Sequence, residues 1–293
     1  MKDNNNIVGG RLNTSSYGAY ADHLVGYRDF MESNGVSMYA ISLQNEPDID
    51  VTYESCYWSP QEMIDWLNGQ ASKFGDTRLM VAESFNFNRR ATDPILNDAS
   101  AEPLVDIIAG HIYGNGLYDY PLAREKGKEV WMTEHLRDSG RDANEWPLAL
   151  GVGREIHDCM AANFNAYIWW YIRRSYGLIT EDGNVSKRGY LMAQYSKFVR
   201  PGYYRVGATN PSASNVRVTA YRGPEGQIAV VAVNESSSSQ TITLDVYNGC
   251  VDAFAKYTTS ASKNVNDDGV VTATNNSASV TLDAQSITTF VSQ

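Results

Sequence analysis

The stretch Ala40-Ile-Ser-Leu-Gln-Asn-Glu-Pro-Asp48 decides how the first two-thirds of this chain is read. Tyr39 to Leu43 is a short apolar run of the kind that forms a buried strand, and it stops at Gln44-Asn45-Glu46-Pro47. Proline cannot donate to a sheet ladder, so Pro47 ends the strand and leaves Glu46 at its C-terminal tip. In α/β barrels and open α/β sheets that tip is where chemistry is done. The same layout recurs in Glu129-Val-Trp-Met-Thr-Glu134. Two carboxylates at two strand tips make the simplest acid/base pair for cleaving a glycosidic bond. Asn45 stands beside one of them, with an amide suited to a sugar 2-hydroxyl.

Outward from this stretch the pattern alternates. Tyr17 to Asn34 has helical spacing, and the strand at 37–43 follows. Ser59 caps a helix with Pro60 in its first position, running to about Phe74. Strands are expected at 78–82, 105–110, 129–133 and 166–171, with helices near 91–98, 117–126 and 144–162 between them. Strand–helix alternation of this kind predicts a parallel sheet with helices outside. Five strands fall short of a closed eight-stranded barrel, which leaves an open five-stranded sheet or the C-terminal part of a longer barrel. Met1 stands just before a helix in an Asn-rich segment, which reads as a cut through a domain.

From about Pro201 the texture changes to Ser/Thr-rich alternating runs at 215–221, 228–233, 241–246 and 279–282, separated by Gly, Asn and Ser turns. These predict an antiparallel β-sandwich, with Ser236 to Ser239 as a hairpin tip. The expected domains are therefore 1–200 and 201–293.

Composition narrows the function classes. The 293 residues carry a net charge of −10, which gives no electrostatic attraction to a phosphate backbone, so nucleic acid is not an expected partner. No apolar run approaches the roughly 20 residues that span a bilayer. The 3 cysteines (Cys56, Cys159, Cys250) are widely spaced and allow at most one bridge, and no His/Cys cluster suggests a metal. Among 19 Tyr and 6 Trp, several sit in loops beside polar residues: Tyr53, Tyr57, Trp58, Tyr113, Tyr118, Tyr120 and Tyr176. Exposed amphipathic rings suit flat polar ligands such as sugars, although each ring alone is as readily explained by packing at an element edge.

Further groups gather at strand ends. Trp169-Trp-Tyr-Ile-Arg-Arg-Ser-Tyr-Gly177 sets a stacking surface beside a fixed cation; alternation lets only one of Trp169 and Trp170 face inward, and one Arg can be a ligand while the other is structural. His111 either hydrogen-bonds a catalytic carboxylate or is a core histidine satisfied by backbone, and Tyr113 lines the cleft. His135 is a pocket wall at most. Glu83, at another strand tip, lacks an Asn or aromatic neighbour in sequence and is assigned a supporting place.

Together these residues resemble glycoside hydrolase family 30, most closely its bacterial glucuronoxylanase subfamily. The matching segments are Ile41-Ser-Leu-Gln-Asn-Glu-Pro-Asp48, Tyr53-Glu-Ser-Cys56, Pro94-Ile-Leu-Asn-Asp98, Gly110-His-Ile-Tyr-Gly114, Trp131-Met-Thr-Glu-His135, the Trp169–Gly177 string, Ser186-Lys-Arg-Gly-Tyr190 and Lys197-Phe-Val-Arg-Pro-Gly202. The resemblance implies a (β/α)8 barrel, of which only strands 4–8 are present here, plus a C-terminal antiparallel β-sandwich side domain. It implies a retaining endo-β-1,4-xylanase with Glu46 as acid/base, Asn45 its sugar-binding neighbour and Glu134 the nucleophile. Arg174 and Tyr176, with Ser139 as a third contact, would hold a glucuronic acid branch of xylan, and Trp170 would lie under the sugar next to the cleavage point. Leu136 departs from the tyrosine usual in relatives, and Ile49 from an aromatic. A lost hydrogen bond of this kind is worth about 1 kcal/mol, so dependence on glucuronate is expected to be weaker. Activity on undecorated xylan or on another β-glucan is one competing reading, and xylan binding without turnover, or an inactive barrel fragment, is the other. No cofactor is implied, the protein is expected to be secreted because xylan is polymeric, and it is expected to be monomeric unless open sheet edges pair.

Overall fold

A computed structural model of the chain describes residues 1–211 and 215–293; residues 212–214, inside the domain expected over 201–293, lie outside the described residues. Two compact units organise it: Met1–His135 with Ala162–Ile168, and Leu136–Ala161 with Trp169–Gln293.

The first unit contains α1 (Tyr17–Ser33), β1 (Ala40–Ser42), α2 (Pro60–Gln70), β2 (Arg78–Ser84), α3 (Arg89–Asn97), β3 (Ile107–His111), α4 (Pro121–Glu125) and β4 (Glu129–His135). After α5 (Leu150–Ala161), β5 (Ala166–Trp169) completes a five-stranded sheet in the order β1-β2-β3-β4-β5. The pairings β1–β2, β2–β3 and β3–β4 are parallel, with Ile41 opposite Leu79, Met80 opposite Ile107 and Ile108 opposite Val130. β2 and β3 are buried almost throughout, which is why they read as continuous apolar runs rather than as alternation. A parallel order sends every strand's C-terminal tip to one end of the sheet. Glu46, Glu83, His111 and Glu134 therefore share that end.

Local signals set most boundaries. Ser59 and Glu62 form a reciprocal capping box at the start of α2, with Pro60 in the first helical turn. Two expected elements are shorter than their apolar runs: β1 covers only 40–42 of 37–43, and β5 ends at Trp169 rather than at 171. The helix expected over 144–162 begins only at Leu150, because Pro147 disfavours helical geometry at Trp146. Of the loop rings, Trp58 and Tyr120 are core residues at 6% and 1% exposure, so packing explains them and a sugar-facing role is ruled out.

The second unit holds α5, α6 (Lys187–Ser196), β6 (Tyr204–Val206), β7 (Val216–Arg222), β8 (Ile228–Asn234), β9 (Gln240–Asp245), β10 (Ala253–Thr259), β11 (Asn266–Thr272), β12 (Ser277–Leu282) and β13 (Ser286–Ser292). A six-stranded sheet, β11-β10-β13-β8-β7-β6, faces a two-stranded one, β12-β9. Val230, Ala232, Ile242, Leu244, Phe254, Val280, Leu282 and Phe290 fill the space between them. β8 and β9 belong to different sheets, so Ser236 to Ser239 crosses between layers and is not a hairpin tip. The outer face of the large sheet is covered by α5 and α6: Gln194 Nε2 donates to Thr259 Oγ1 (2.8 Å), and Thr289 Oγ1 donates to Gln194 Oε1 (2.6 Å). That packing groups both helices with the sandwich, whereas the sequence grouped them with the domain 1–200.

Candidate active site

Four side chains from four consecutive strand ends converge in the first unit. Glu46 and Glu83 both adopt left-handed backbone, with φ of 43° and 56°. Such geometry is uncommon for a residue with a side chain and is tolerated where the surroundings enforce it. Here the enforcement is visible: the Glu46 N–H donates to the Glu83 carbonyl oxygen at 3.0 Å. One turn on, Asp48 accepts from Ser84 Oγ (2.6 Å) and from the Phe85 N–H (3.2 Å). The loop carrying Glu46 is thus stitched to the end of β2.

His111, 1% exposed, lies at the centre. Its Nδ1 is 2.9 Å from Glu46 Oε1 and 3.9 Å from Glu134 Oε1, while Nε2 is 3.3 Å from Glu83 Oε2. The Tyr53 hydroxyl donates to Glu46 Oε2, and the Thr133 hydroxyl to Glu83. Tyr113 Oη donates to Glu134 Oε1 at 3.0 Å, and the Tyr113 ring packs on His135 with centroids 4.9 Å apart. Asn45 is exposed beside the buried Glu46. Of the two readings of His111, the carboxylate-bound one is correct.

These contacts set the proton affinities. Burial pulls the His111 imidazole down, but hydrogen bonds to Glu46 and Glu83 and the charges of Glu83 and Glu134 lift it to about 9. Burial pushes Glu46 up, yet the hydrogen bonds from His111 and Tyr53 outweigh it and hold the carboxyl below its ordinary value. Glu134 is raised, first by burial and further by the Glu46 and Glu83 carboxylates, against the pull of His111 and Tyr113. One donor atom each from Glu46, His111 and Glu134 falls within a 4.8 Å span. Both His111 nitrogens face carboxylates, Glu46 on one side and Glu83 on the other, which ties the trio into one hydrogen-bonded acid/base cluster. Among the described residues the three cysteines are unbridged.

In the second unit the structure brings Ser139, Arg174 and Tyr176 onto adjoining loops. Arg188, fully buried on α6, donates to the carbonyl oxygens of Arg137 (2.8 Å) and Tyr176 (3.0 Å), and the Ala143 N–H donates to Ser175 O (2.9 Å). Gly177 closes the second loop, where a Cβ would lie 2.6 Å from the Arg174 nitrogen. Ser139 lines a cleft of about 780 Å³ with Asn144, Ser175 and Asn184. The Arg174 guanidinium lies 4.5 Å over the Tyr171 ring, which also stacks on Trp170 at 3.9 Å. Trp169 is buried at 6% and Trp170 is 38% exposed, which decides which of the two can meet a ligand. Arg173 donates to the Glu181 carbonyl oxygen.

Sequence reasoning did not single out Thr133 or Arg188, named Tyr53 only as one of several loop rings, and undervalued Glu83. Tyr53, Thr133 and Arg188 do lie in segments that carry the family resemblance. The contact between Thr133 and Glu83 stands out only once the strands are side by side.

The family model for the glycosyl hydrolase family 30 beta sandwich domain matches residues 202–290. Glucuronoxylanase XynC of Bacillus subtilis is 43% identical over 288 residues, spanning 96% of this chain and 67% of that protein. The glycoside hydrolase family 30 subfamily 8 xylanase Xyn30A of Clostridium acetobutylicum superposes with a TM-score of 0.93 at 40% identity, over 100% of this chain and 76% of the other. A GH30 endoxylanase of Clostridium papyrosolvens superposes with a TM-score of 0.90 at 39% identity, over 97% and 73% of the two chains. Identity at this level, extending through both units, makes the chain a member of glycoside hydrolase family 30.

Proposed function

We propose that the protein is a retaining endo-β-1,4-xylanase acting on glucuronoxylan at positions set by a (methyl)glucuronic acid branch. The observation that carries this reading is the spacing of the carboxylates, with an oxygen of Glu46 and one of Glu134 inside 4.8 Å. Retaining glycosidases keep their two carboxyl groups about 5–5.5 Å apart, whereas inverting ones need about 6.5–9.5 Å to admit a water. Glu134 attacks the anomeric carbon while Glu46 protonates the leaving oxygen. Glu46 then takes a proton from the water that hydrolyses the glycosyl–Glu134 ester. Tyr113 steadies the nucleophile, and Asn45 and His111 border the reacting sugar. Trp170, exposed on the second unit, is in this reading a stacking face for a sugar. Arg174, Tyr176 and Ser139 receive the branch carboxylate, the planar guanidinium supplying the charge. The five strands correspond in this reading to strands 4–8 of a (β/α)8 barrel, and the protein works outside the cell.

The test is to follow anomeric configuration by NMR during hydrolysis and to trap the glycosyl-enzyme with a 2-fluoro xylobioside. First-formed β-product with label on Glu134 supports the reading; first-formed α-product overturns it. Leu136 favours a second reading, a xylanase without glucuronate dependence. Products from glucuronoxylan and from linear xylan compared at equal enzyme separate the two. The outer edges of β1 and β5, which carry no further strand among the described residues, favour a third, xylan binding without turnover. Retention on insoluble xylan without reducing-sugar release would select it.

A further inference from the structure

Resting protonation in the cluster runs against the first catalytic step. That step needs a proton on Glu46, yet the hydrogen bonds around Glu46 favour its ionised form, and the imidazole beside it is the group that keeps a proton at neutral pH. The geometry resolves the conflict. His111 Nδ1 lies 2.9 Å from Glu46 Oε1 in a buried, direct hydrogen bond, and its other nitrogen is engaged by Glu83 at 3.3 Å. Glu83 in turn holds Glu46 twice, through its own backbone carbonyl and through this imidazole.

We propose that His111 stores the proton that Glu46 delivers to the leaving oxygen, and that Glu83 is the positioning residue that keeps His111 in that service. This rests on the acid/base role given to Glu46 above. With Nε2–H fixed on the Glu83 carboxylate, the proton on Nδ1 is the one free to move. In the first step the Nδ1–H bond breaks and an O–H bond forms on Glu46, leaving a neutral imidazole. Glu46 then gives that proton to the glycosidic oxygen as the C–O bond breaks and the Glu134 oxygen bonds to the anomeric carbon. In the second step Glu46 takes a proton from the attacking water, whose oxygen displaces Glu134, and the proton returns to Nδ1. No net proton is consumed and Glu134 ends as a carboxylate. The charged and titratable groups facing His111 are Glu46 beyond β1, Glu83 at the end of β2 and Glu134 at the end of β4. The Tyr113 ring stands edge-on at 5.9 Å, and Tyr53 acts through Glu46.

The experiment is the pH dependence of kcat/KM for wild type, Glu83→Gln and His111→Asn on two substrates. On glucuronoxylan, Glu83→Gln removes the negative charge that holds the imidazole's proton, so the alkaline limb moves down by at least one pH unit, and it moves further in His111→Asn. On 2,4-dinitrophenyl β-xylobioside, whose leaving group departs without a proton, the three alkaline limbs coincide. Limbs that stay at the wild-type position on glucuronoxylan overturn the proposal, as does an equal displacement on both substrates. Should His111→Asn not fold, imidazole ¹⁵N shifts in wild type and Glu83→Gln give the same answer. The expected wild-type midpoint is about 9, at least one unit lower in the variant, and an unchanged midpoint overturns the proposal. Azide added to Glu46→Ala tests the underlying role separately. If azide restores turnover of the dinitrophenyl substrate with a β-xylobiosyl azide product while the limbs fail to move, only the His111 proposal is lost. If azide restores nothing, the acid/base role of Glu46 is lost.

Discussion

The Tyr113 hydroxyl donates to Glu134 Oε1 across 3.0 Å, joining the loop after β3 to the end of β4. That bond favours the ionised carboxylate, against a net rise driven by burial. Tyr113→Phe removes it, so the Glu134 pKa climbs further and the acid limb of kcat/KM moves to higher pH. At the plateau one hydrogen bond to a charged group is worth about 1.5–3 kcal/mol, or roughly 10- to 150-fold in rate. A variant whose acid limb coincides with the wild-type limb would show that the bond does not tune Glu134.

Glu134→Ala is expected to remove hydrolysis, with a loss on the order of 10⁴ or more, because in the proposed mechanism Glu134 forms the covalent intermediate. The Glu134 side chain is 17% exposed and its shortening leaves the His111–Glu46–Glu83 contacts in place, so the fold should survive. Reducing-sugar release and the near-UV circular dichroism of the variant check both halves. Residual turnover within a hundredfold of wild type would remove Glu134 from the nucleophile role.

How much of this was legible in the sequence depended on whether a signal was local. Ser59, Pro60 and Glu62 start α2 with contacts no more than three residues apart, and that could be read from the chain alone. The end of β1 could not: the strand stops at Ser42, well before Pro47. Glu83 could not: its partners His111 and Thr133 come from β3 and β4, so its importance exists only once the strands are aligned in parallel. α6 was missed for a related reason. Its buried face includes Arg188 and Gln194, polar residues that break apolar periodicity while serving as crosslinks. β11 was missed because its Asn-Asp-Asp-Gly start carries no alternation, and the pairing with β10 alone makes it a strand.

Arg174 carries the prediction about specificity. Its guanidinium rests on the Tyr171 ring, and among the described residues no carboxylate lies within ion-pair distance of it. A cation left without a protein anion is available to a substrate carboxylate. Arg174→Ala should lower kcat/KM on glucuronoxylan at least tenfold and change linear-xylan turnover far less. Arg174→Lys should restore only part of the loss, since an ammonium cannot make the planar two-point contact. Equal activity of Arg174→Ala and wild type on glucuronoxylan would end the branch-recognition reading.

His157 sets the acid side of stability. It sits on α5 at 3% exposure with no hydrogen-bond partner found for Nδ1, facing Arg217, Arg205 and Glu235. Burial first, and then the Arg217 charge, push its pKa down to about 4 from the ordinary 6.5. The unfolded chain therefore takes up a proton below pH 6.5 that the folded chain refuses until about 4, so stability falls across that window and levels off beneath it. His111 has the opposite sign: its pKa is raised to about 9, so its contribution is complete below 6.5 and is lost as pH rises to 9. Between them the two histidines narrow the stable range from both sides. His157→Gln removes the acid-side titration while keeping a polar side chain of similar size. Its denaturation midpoint should fall less than the wild-type midpoint between pH 6.5 and 4.5, with the gap closing or reversing at the lower pH. Parallel descent of the two midpoints over that interval would assign the acid sensitivity to the carboxylates instead.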